Sequence, residues 1–229
     1  MNATSDAFAW QNALFMVAFF FLILIVPWLL VRDAARASHG AEASDPSRLF
    51  ASDREKRLWA WTGAVVLAIY LTLSPAQRLA AALRERGMLG PTTWAVFGIL
   101  AAVVVYRWAK TRPGTLEVGA GLGVAAVYVT TLIRLPVPEA RSHLFEYGLV
   151  GMLVYQALLE RKESGRRVPA PALFAIAATS TLGLIDENIQ RFLPTRTYDD
   201  RDVAFNALAA TMAVSAVALV RWARRRRSA

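Results

Sequence analysis

The sequence contains no cysteine, and its only histidines are His39 and His143. Without cysteine, the chain forms no disulfide and has neither a thiolate nucleophile nor a thiolate metal ligand. Because there are only two histidines, a metal site with several histidine ligands is not expected. The sequence by itself therefore assigns no metal ligands. The chemistry-bearing residues that remain are mainly carboxylates, amides and arginines.

Charged residues are scarce within several long apolar runs. The clearest run covers residues 13–31 and is interrupted only by Pro27. About 20 apolar residues cross a bilayer core of roughly 30 Å. Hydrophobic residues make up 56% of this chain, against about 45–50% in a soluble domain. The sequence therefore predicts an integral membrane protein.

The apolar runs predict an all-α fold, namely a polytopic transmembrane helical bundle of about seven spans. Small residues let membrane helices approach one another, so Gly119, Gly121 and Gly123 predict close packing of the fourth span. The predicted spans are residues 10–31, 58–74, 92–108, 116–134, 143–159, 170–186 and 203–221.

The basic residues lie mostly in the short segments between apolar runs. This distribution argues against a nucleic-acid partner, which the net charge of +9 would otherwise suggest. When the four arginines at 224–227 are placed in the cytoplasm, 18 of the 26 basic residues fall on that side. Because positive charge is retained in the cytoplasm, we predict that the N-terminus lies outside and the C-terminus inside.

The N-terminal segment predicts an uncleaved anchor. Its first six residues contain no basic residue, and charge follows the apolar run, unlike the pattern of a signal peptide. Cleavage after Ala35 or Ala37 stays open as an alternative. Residues 32–57 are polar and predict a cytoplasmic linker. Residues 75–88 carry apolar groups at helical spacing and predict either a short helix in the outer interface or an ordinary loop.

Polar groups are concentrated at the predicted outer ends of the last three spans. Spacings of three or four residues put side chains on one face of a helix. Such spacings recur among the polar residues at each of these three span ends. Gly183 and Glu187 also share a face, which would let a neighbouring helix approach closely beneath Glu187. We expect these three helix ends to build one cleft at a membrane face. Its candidate residues are His143, Glu146 and Tyr147 at the start of the fifth span, Asp186, Glu187 and Gln190 at the end of the sixth, and Asp202 and Asn206 at the start of the seventh.

Arginines flank these acids on the same predicted side. A guanidinium group binds phosphate or carboxylate in bidentate fashion, so a rim of arginines suits an anionic ligand. Two other roles stay open: neutralising the acids, or binding the head groups of surrounding phospholipids. The four residues are Arg141, Arg191, Arg196 and Arg201.

Three motifs in this order and spacing resemble the VanZ-like family of bacterial polytopic membrane proteins. They are HLFEYGL at 143–149, DENIQRFLPTR at 186–196 and DVAFNA at 202–207, and LTLSP at 71–75 looks like the close of that family's first helix. The family is named for a teicoplanin-resistance protein. The resemblance implies a multi-pass envelope protein of the bacterial inner membrane, with an effect on glycopeptide or lipoglycopeptide susceptibility as an expectation. The motif residues are His143, Glu146, Tyr147, Asp186, Glu187, Gln190, Pro194, Arg196, Asp202 and Asn206.

The resemblance also suggests a division of the chain. Residues 1–57 form an N-terminal transmembrane anchor with a cytoplasmic linker. Residues 58–221 form the VanZ-like membrane domain, with two inserted spans at about 92–134, and residues 222–229 form a basic cytoplasmic tail.

The first functional hypothesis is a membrane protein whose outer-face polar site binds the head group of a lipid, a glycolipid or a peptide. Arginine and amide groups provide the hydrogen bonds, and the spans provide a lateral opening. Membrane lipids, a lipid-linked molecule or a glycopeptide are the expected ligands. The binding residues would be Tyr147, Gln190, Arg196, Asp202 and Asn206.

The second hypothesis is an outer-leaflet enzyme, a hydrolase or transferase that acts on a phospholipid or a lipid-linked substrate. His143 or Glu187 would be the general base, while Asp186 and Glu146 orient it or hold a divalent cation. Oxygen ligands of this kind favour Mg²⁺ or Ca²⁺, although the sequence predicts no resident cofactor. A transporter is a third hypothesis, but the charges crowd one end of the spans and no inverted repeat is visible.

Overall fold

The structure is a computed structural model that describes residues 49–134, 138–192 and 200–227. Within these ranges the chain is helical with short turns and contains no strand, which confirms the predicted all-α class for this part of the protein. The predicted first span at 10–31 lies outside the described residues. The helices are α1 (Asp53–Glu85), α2 (Leu89–Thr111), α3 (Thr115–Arg134), α4 (Pro138–Glu163), α5 (Pro171–Gln190) and α6 (Asp200–Arg227).

Three of these helices are long and apolar enough to cross a membrane. They are α3, α5 and the part of α6 that covers Asp200–Arg226, judged by length and composition within the described residues. The membrane character of the chain is therefore supported. The full count of seven spans and the orientation stay predictions.

Helix α5 has its apolar side chains outside and its acids inside. Leu173 and Phe174 are 68% and 53% exposed, whereas Asp186 and Glu187 are fully buried. A soluble protein normally shows the reverse, and large exposed apolar surfaces mark contacts with membranes or other partners. This distribution is expected of a helix whose apolar face meets lipid tails.

Helix α1 runs through the segment that the sequence predicted to be a separate interface helix or a loop. It extends for 33 residues, from Asp53 to Glu85, without a break at Pro75. Proline removes one backbone hydrogen bond from a helix. The residues that follow it, 76–85, are all alanine, leucine, glutamine, arginine or glutamate, which strongly favour a helix. Neither predicted alternative is correct, since the segment continues the preceding helix.

Two glycines end helices in the left-handed conformation. Gly87 has φ +66° and Gly165 has φ +85°. After α4, the N–H of Gly165 donates to the carbonyl of Lys162 at 3.1 Å, and the N–H of Arg166 donates to that of Arg161 at 3.1 Å. This is the Schellman arrangement, in which glycine avoids the steric penalty of positive φ. It fixes the end of α4 on the side opposite His143.

The described residues belong to two compact units. The smaller contains residues 67–113, and the larger contains residues 49–66 together with the described residues from 114 onward. In the larger unit, α4, α5 and α6 all pack against one another, and α3 packs against α6. All the described candidate site residues lie in this larger unit.

Small residues allow the close contact between α4 and α6. A Cβ atom added at Gly151 would lie 3.1 Å from Cα of Ala210, and Ala209 and Ala210 are fully buried. Close backbone approach through such residues is typical of membrane helices. Helices α4 and α6, two of the three that carry the polar groups, are thus held together by tight packing.

Within the described residues, the close packing predicted at the glycines of α3 is not found at Gly119 and Gly123. A Cβ atom at either position would meet none of the described residues within 4 Å. The buried face of α3 carries Glu117 and Leu132 instead. Because each residue turns a helix by about 100°, Gly119 lies nearly opposite Glu117.

One end of the larger unit is closed by ion pairs, and we call it the ion-pair end. Glu55 is fully buried and accepts hydrogen bonds from Arg161 Nη1 at 2.8 Å, the N–H of Ala51 at 2.6 Å and Trp59 Nε1 at 3.3 Å. Each contact supplies positive charge or a donor to a carboxylate that has lost its water. The burial of Glu55 is therefore well compensated.

Further ion pairs complete this end. Glu117, which is 8% exposed, accepts a hydrogen bond from Arg224 Nε at 3.0 Å. The ion-pair end joins the starts of α1 and α3 to the ends of α4 and α6, which are segments that the charge distribution predicted to share one membrane side. The other pairs are Arg54 with Glu160, Arg221 with Glu163 and Arg225 with Glu163.

Candidate functional site

The opposite end of α4, α5 and α6 carries the polar residues predicted from sequence. His143 lies in the second turn of α4, Asp186 and Glu187 lie in the last turns of α5, and Asp202 lies in the first turn of α6. Because α4, α5 and α6 pack together, these helix ends meet. The structure thus brings together residues that are up to 59 positions apart in the sequence.

A very close contact between α5 and α6 lies beneath the acids. A Cβ atom added at Gly183 would lie 2.6 Å from Cβ and 2.8 Å from Nδ2 of Asn206. Real Cβ atoms do not approach so closely, so only glycine fits. The structure therefore agrees with the prediction that Gly183 lets a neighbouring helix approach beneath Glu187.

The centre of the site contains one histidine and two acids. One ring nitrogen of His143 and one carboxylate oxygen each from Asp186 and Glu187 all lie within 4.8 Å of one another. His143 is 4% exposed, and both acids are fully buried. We call these three residues the His–Asp–Glu centre.

Asp202 lies beside the histidine on the neighbouring helix. Its Oδ2 atom lies 3.6 Å from Nε2 of His143, within ion-pair distance. The Asp202 side chain is 22% exposed, so the buried centre reaches the surface at this residue. On the other side, the ring of Tyr147 stacks at 6.2 Å between centroids from that of His143.

The buried polar atoms of the site are only partly satisfied. Gln190 Nε2 donates a hydrogen bond to Glu187 Oε1 at 3.2 Å. Among the described residues, neither carboxylate oxygen of Asp186 has a hydrogen-bond partner, and Nδ1 of His143 and both amide atoms of Asn206 also have none. A buried charge without a partner is strongly unfavourable, which makes Asp186 exceptional among the acids that the structure describes.

The buried acids at the two ends of the larger unit therefore differ in their hydrogen-bond partners. Glu55 at the ion-pair end receives an arginine and two N–H donors. Asp186 is equally buried and receives no hydrogen bond from the described residues. Buried polar groups in proteins are nearly always hydrogen-bonded, so an exception of this kind is expected where a ligand completes the site.

The remaining predicted residues occupy different positions. Glu146 is partly exposed and is not one of the three residues of the His–Asp–Glu centre. Arg191 and Arg201 are exposed near the same helix ends. Pro194 and Arg196 lie outside the described residues, and for Arg141 the structure describes the backbone only.

Thr179 is a buried polar residue of α5, two turns below the site, that the sequence analysis missed. It is fully buried, and its hydroxyl has no hydrogen-bond partner among the described residues. Thr179, Gly183 and Glu187 are spaced by four residues and share one face of α5. Extending the predicted stripe by one turn towards the start of the helix would have found it.

At the ion-pair end, a surface cavity of about 340 Å³ lies beside the start of α3. Its wall includes Glu117, which is already paired with Arg224. The cavity therefore presents no unsatisfied acid, unlike the His–Asp–Glu centre. Its lining residues are Gly114, Thr115, Leu116, Glu117, Ala223 and Arg226.

Comparisons with protein-family models, curated proteins and solved structures find no match to this chain. The resemblance to the VanZ-like family therefore stays a prediction that depends on the three motifs. The case for function depends on the geometry of the site.

Proposed function

We propose that the protein is a VanZ-like, multi-pass protein of the bacterial inner membrane that binds the polar head group of a lipid or a lipid-linked molecule. The site is the His–Asp–Glu centre together with Asp202 and the exposed arginines at the same end. The observation that carries the proposal is the complete burial of Asp186 without a hydrogen-bond partner among the described residues. The acid needs a source of positive charge or hydrogen-bond donors that those residues do not supply.

A membrane head group suits both the position and the charges of this site. Helix α5 has exposed apolar residues and ends in the buried acids, so a lipid lying against the helix would bring its head group to that level. Arg191 and Arg201 are exposed nearby and would pair with phosphate or carboxylate. A head group with both an anionic group and donors matches this arrangement. An effect on glycopeptide susceptibility would follow if the ligand is a cell-wall precursor.

Native mass spectrometry of the protein released from bacterial membranes tests the proposal. We expect a lipid or lipid-linked adduct on the wild-type protein and a reduction of about tenfold or more in Asp186→Asn, because a hydrogen bond to a charged group contributes about 1.5–3 kcal/mol. Glu163→Gln is the matched control, since Glu163 is an exposed acid at the ion-pair end. An adduct that is equally abundant in all three proteins would refute the assignment of the site.

An enzyme is the second candidate, favoured by the contact between His143 and Asp202. A carboxylate at 3.6 Å from Nε2 would orient the imidazole as a general base, with Glu187 beside it. The reaction would be hydrolysis or transfer on a phospholipid or a lipid-linked substrate. In cells, Glu187→Gln would abolish a change in the lipid pool that the wild-type protein produces, while Glu163→Gln would preserve it. Identical lipid pools with and without the wild-type protein would eliminate this candidate.

A further inference from the structure

In the described part of the protein, the His–Asp–Glu centre has the donor atoms and the burial expected of a cation site. We infer that His143, Asp186 and Glu187 bind a divalent transition-metal cation of the Zn²⁺ or Mn²⁺ class. This inference deepens the proposed function and rests on it for its role, because a bound cation would meet the phosphate or carboxylate of the head group. The binding of the metal itself is measured without any lipid.

The distances suit a cation of this size. Zinc binds histidine nitrogen and carboxylate oxygen at about 2.0–2.2 Å in a tetrahedral shell, so neighbouring ligand atoms lie about 3.4 Å apart. The three donor atoms lie within 4.8 Å of one another. Side-chain rotations that shorten these separations to about 3.4 Å would let the three atoms share one ion.

The histidine is arranged as metal-binding histidines usually are. A ligating histidine generally directs its second ring nitrogen to a carboxylate or carbonyl, which fixes the ring and its tautomer. Here Nε2 of His143 lies 3.6 Å from Asp202, and Nδ1 is buried without a partner among the described residues. Nδ1 is thus the nitrogen left for a cation, and Asp202 is a positioning residue.

Asp186 provides the independent reason for a positive ligand. It is fully buried, and both of its oxygens lack a hydrogen-bond partner among the described residues. A divalent cation would compensate two acids at once, which a single hydrogen-bond donor would not. One imidazole with two carboxylates favours Zn²⁺ or Mn²⁺ over the all-oxygen shells typical of Mg²⁺ and Ca²⁺.

The test is the metal content of the purified full-length chain, measured after loading with Zn²⁺, Mn²⁺ or Mg²⁺ and removal of unbound ions. We expect about one Zn²⁺ or Mn²⁺ ion per wild-type chain, and loss of that ion in Asp186→Asn and His143→Gln. The variant His39→Gln changes the only other histidine and should keep the ion. Asp202→Asn should bind about 10–100-fold more weakly, as for other residues that orient a metal ligand.

Thermal unfolding separates metal binding from failure to fold. Asp186→Asn removes a buried charge at nearly constant volume, so without metal it should unfold at the same temperature as the wild type or higher. Added Zn²⁺ or Mn²⁺ should raise the unfolding temperature of the wild type and leave that of Asp186→Asn unchanged. Equal stabilisation of both proteins, or a wild-type chain that binds no metal or Mg²⁺ alone, would overturn the inference.

The outcome also distinguishes the cation from the head group. If chelator-treated protein retains its lipid adduct and binds no metal, the cation site is wrong and the proposed function stands. If metal binds to the centre but no lipid adduct is found, the proposed function is wrong and the metal site stands.

Discussion

At the scale of single residues, the buried carboxylates of the described residues differ in whether a hydrogen-bond donor meets them. Glu55 has such donors in Arg161 and two N–H groups, whereas Asp186 has none among the described residues. The sequence predicted that acids and arginines would cluster. It could not predict which acid would be paired, because that depends on helix rotations of a few tens of degrees.

Arg161→Met should destabilise the protein by about 3 kcal/mol, because it leaves Glu55 as an uncompensated buried charge. The control is Arg225→Met, since the Arg225 side chain is 73% exposed and lies 3.4 Å from Glu163. Unfolding in detergent, followed by size-exclusion fluorescence, measures the difference. Adding Glu55→Gln to Arg161→Met should restore part of the stability. Equal effects of the two arginine variants would contradict the role assigned to Glu55.

Gly183→Ala should destabilise the contact between α5 and α6. The added Cβ would lie 2.6 Å from Cβ of Asn206, which is fixed to the backbone, so the helices must separate. Overpacking of this kind typically costs about 1–3 kcal/mol. Gly123→Ala is the matched control in α3, where a Cβ atom meets nothing within 4 Å. The unfolding temperature of each variant measures this effect. An unchanged unfolding temperature in Gly183→Ala would show that the close approach is absent in the membrane.

The glycines of α5 and α3 show how far a spacing pattern can predict a contact. Gly183 shares a helix face with Glu187, and its contact with α6 was predicted from that spacing. Gly119 and Gly123 have similar sequence surroundings but face away from the buried side of α3. Small size permits a close approach, but only the packing of the whole unit determines which face of a helix is used.

At the scale of helices, apolar runs locate the elements but not their ends. Each predicted span from 58 onward falls on a helix, yet α1 extends to Glu85 and α6 to Arg227. Hydropathy detects only the part of a helix that lies in lipid. Residues with high helix propensity then continue the helix beyond the apolar run, as residues 76–85 do.

Gly165→Ala tests the end of α4. With φ at +85°, alanine would incur about 1–2 kcal/mol of steric strain and weaken the Schellman turn. Gly63→Ala is the control inside α1, where a Cβ atom meets nothing within 4 Å. It should stabilise the helix by about 0.5–1 kcal/mol. Chemical unfolding of both variants should therefore give shifts of opposite sign, and shifts of the same sign would contradict the turn described here.

At the scale of the whole molecule, the larger unit has two chemically different polar ends. At the ion-pair end the buried acids are paired with arginines of the protein. In the His–Asp–Glu centre, Asp186 has no hydrogen-bond partner among the described residues. The motifs in the sequence correctly placed His143, Asp186, Glu187 and Asp202 together. The contrast between the two ends could not be predicted from the sequence, because whether a buried acid meets a donor depends on how each helix is rotated.

The predicted orientation places the His–Asp–Glu centre on the outer side. The natural absence of cysteine allows single cysteines to be introduced at the two ends of α6, as Arg201→Cys and Arg226→Cys. Both positions are exposed. A membrane-impermeant thiol reagent added to intact bacterial spheroplasts should label Arg201→Cys and should reach Arg226→Cys only after lysis. Labelling of Arg226→Cys alone in intact spheroplasts would show that the protein has the opposite orientation.

A high-resolution density map of the protein in native-lipid nanodiscs tests the central claim most directly. The claim is that the buried His–Asp–Glu centre is completed by a ligand. The account predicts non-protein density in contact with Asp186 and His143 that continues past Asp202 to the level of lipid head groups. A centre closed by Arg191 or Arg196 against Asp186, with no additional density, would contradict it and would make the motif a structural ion-pair cluster.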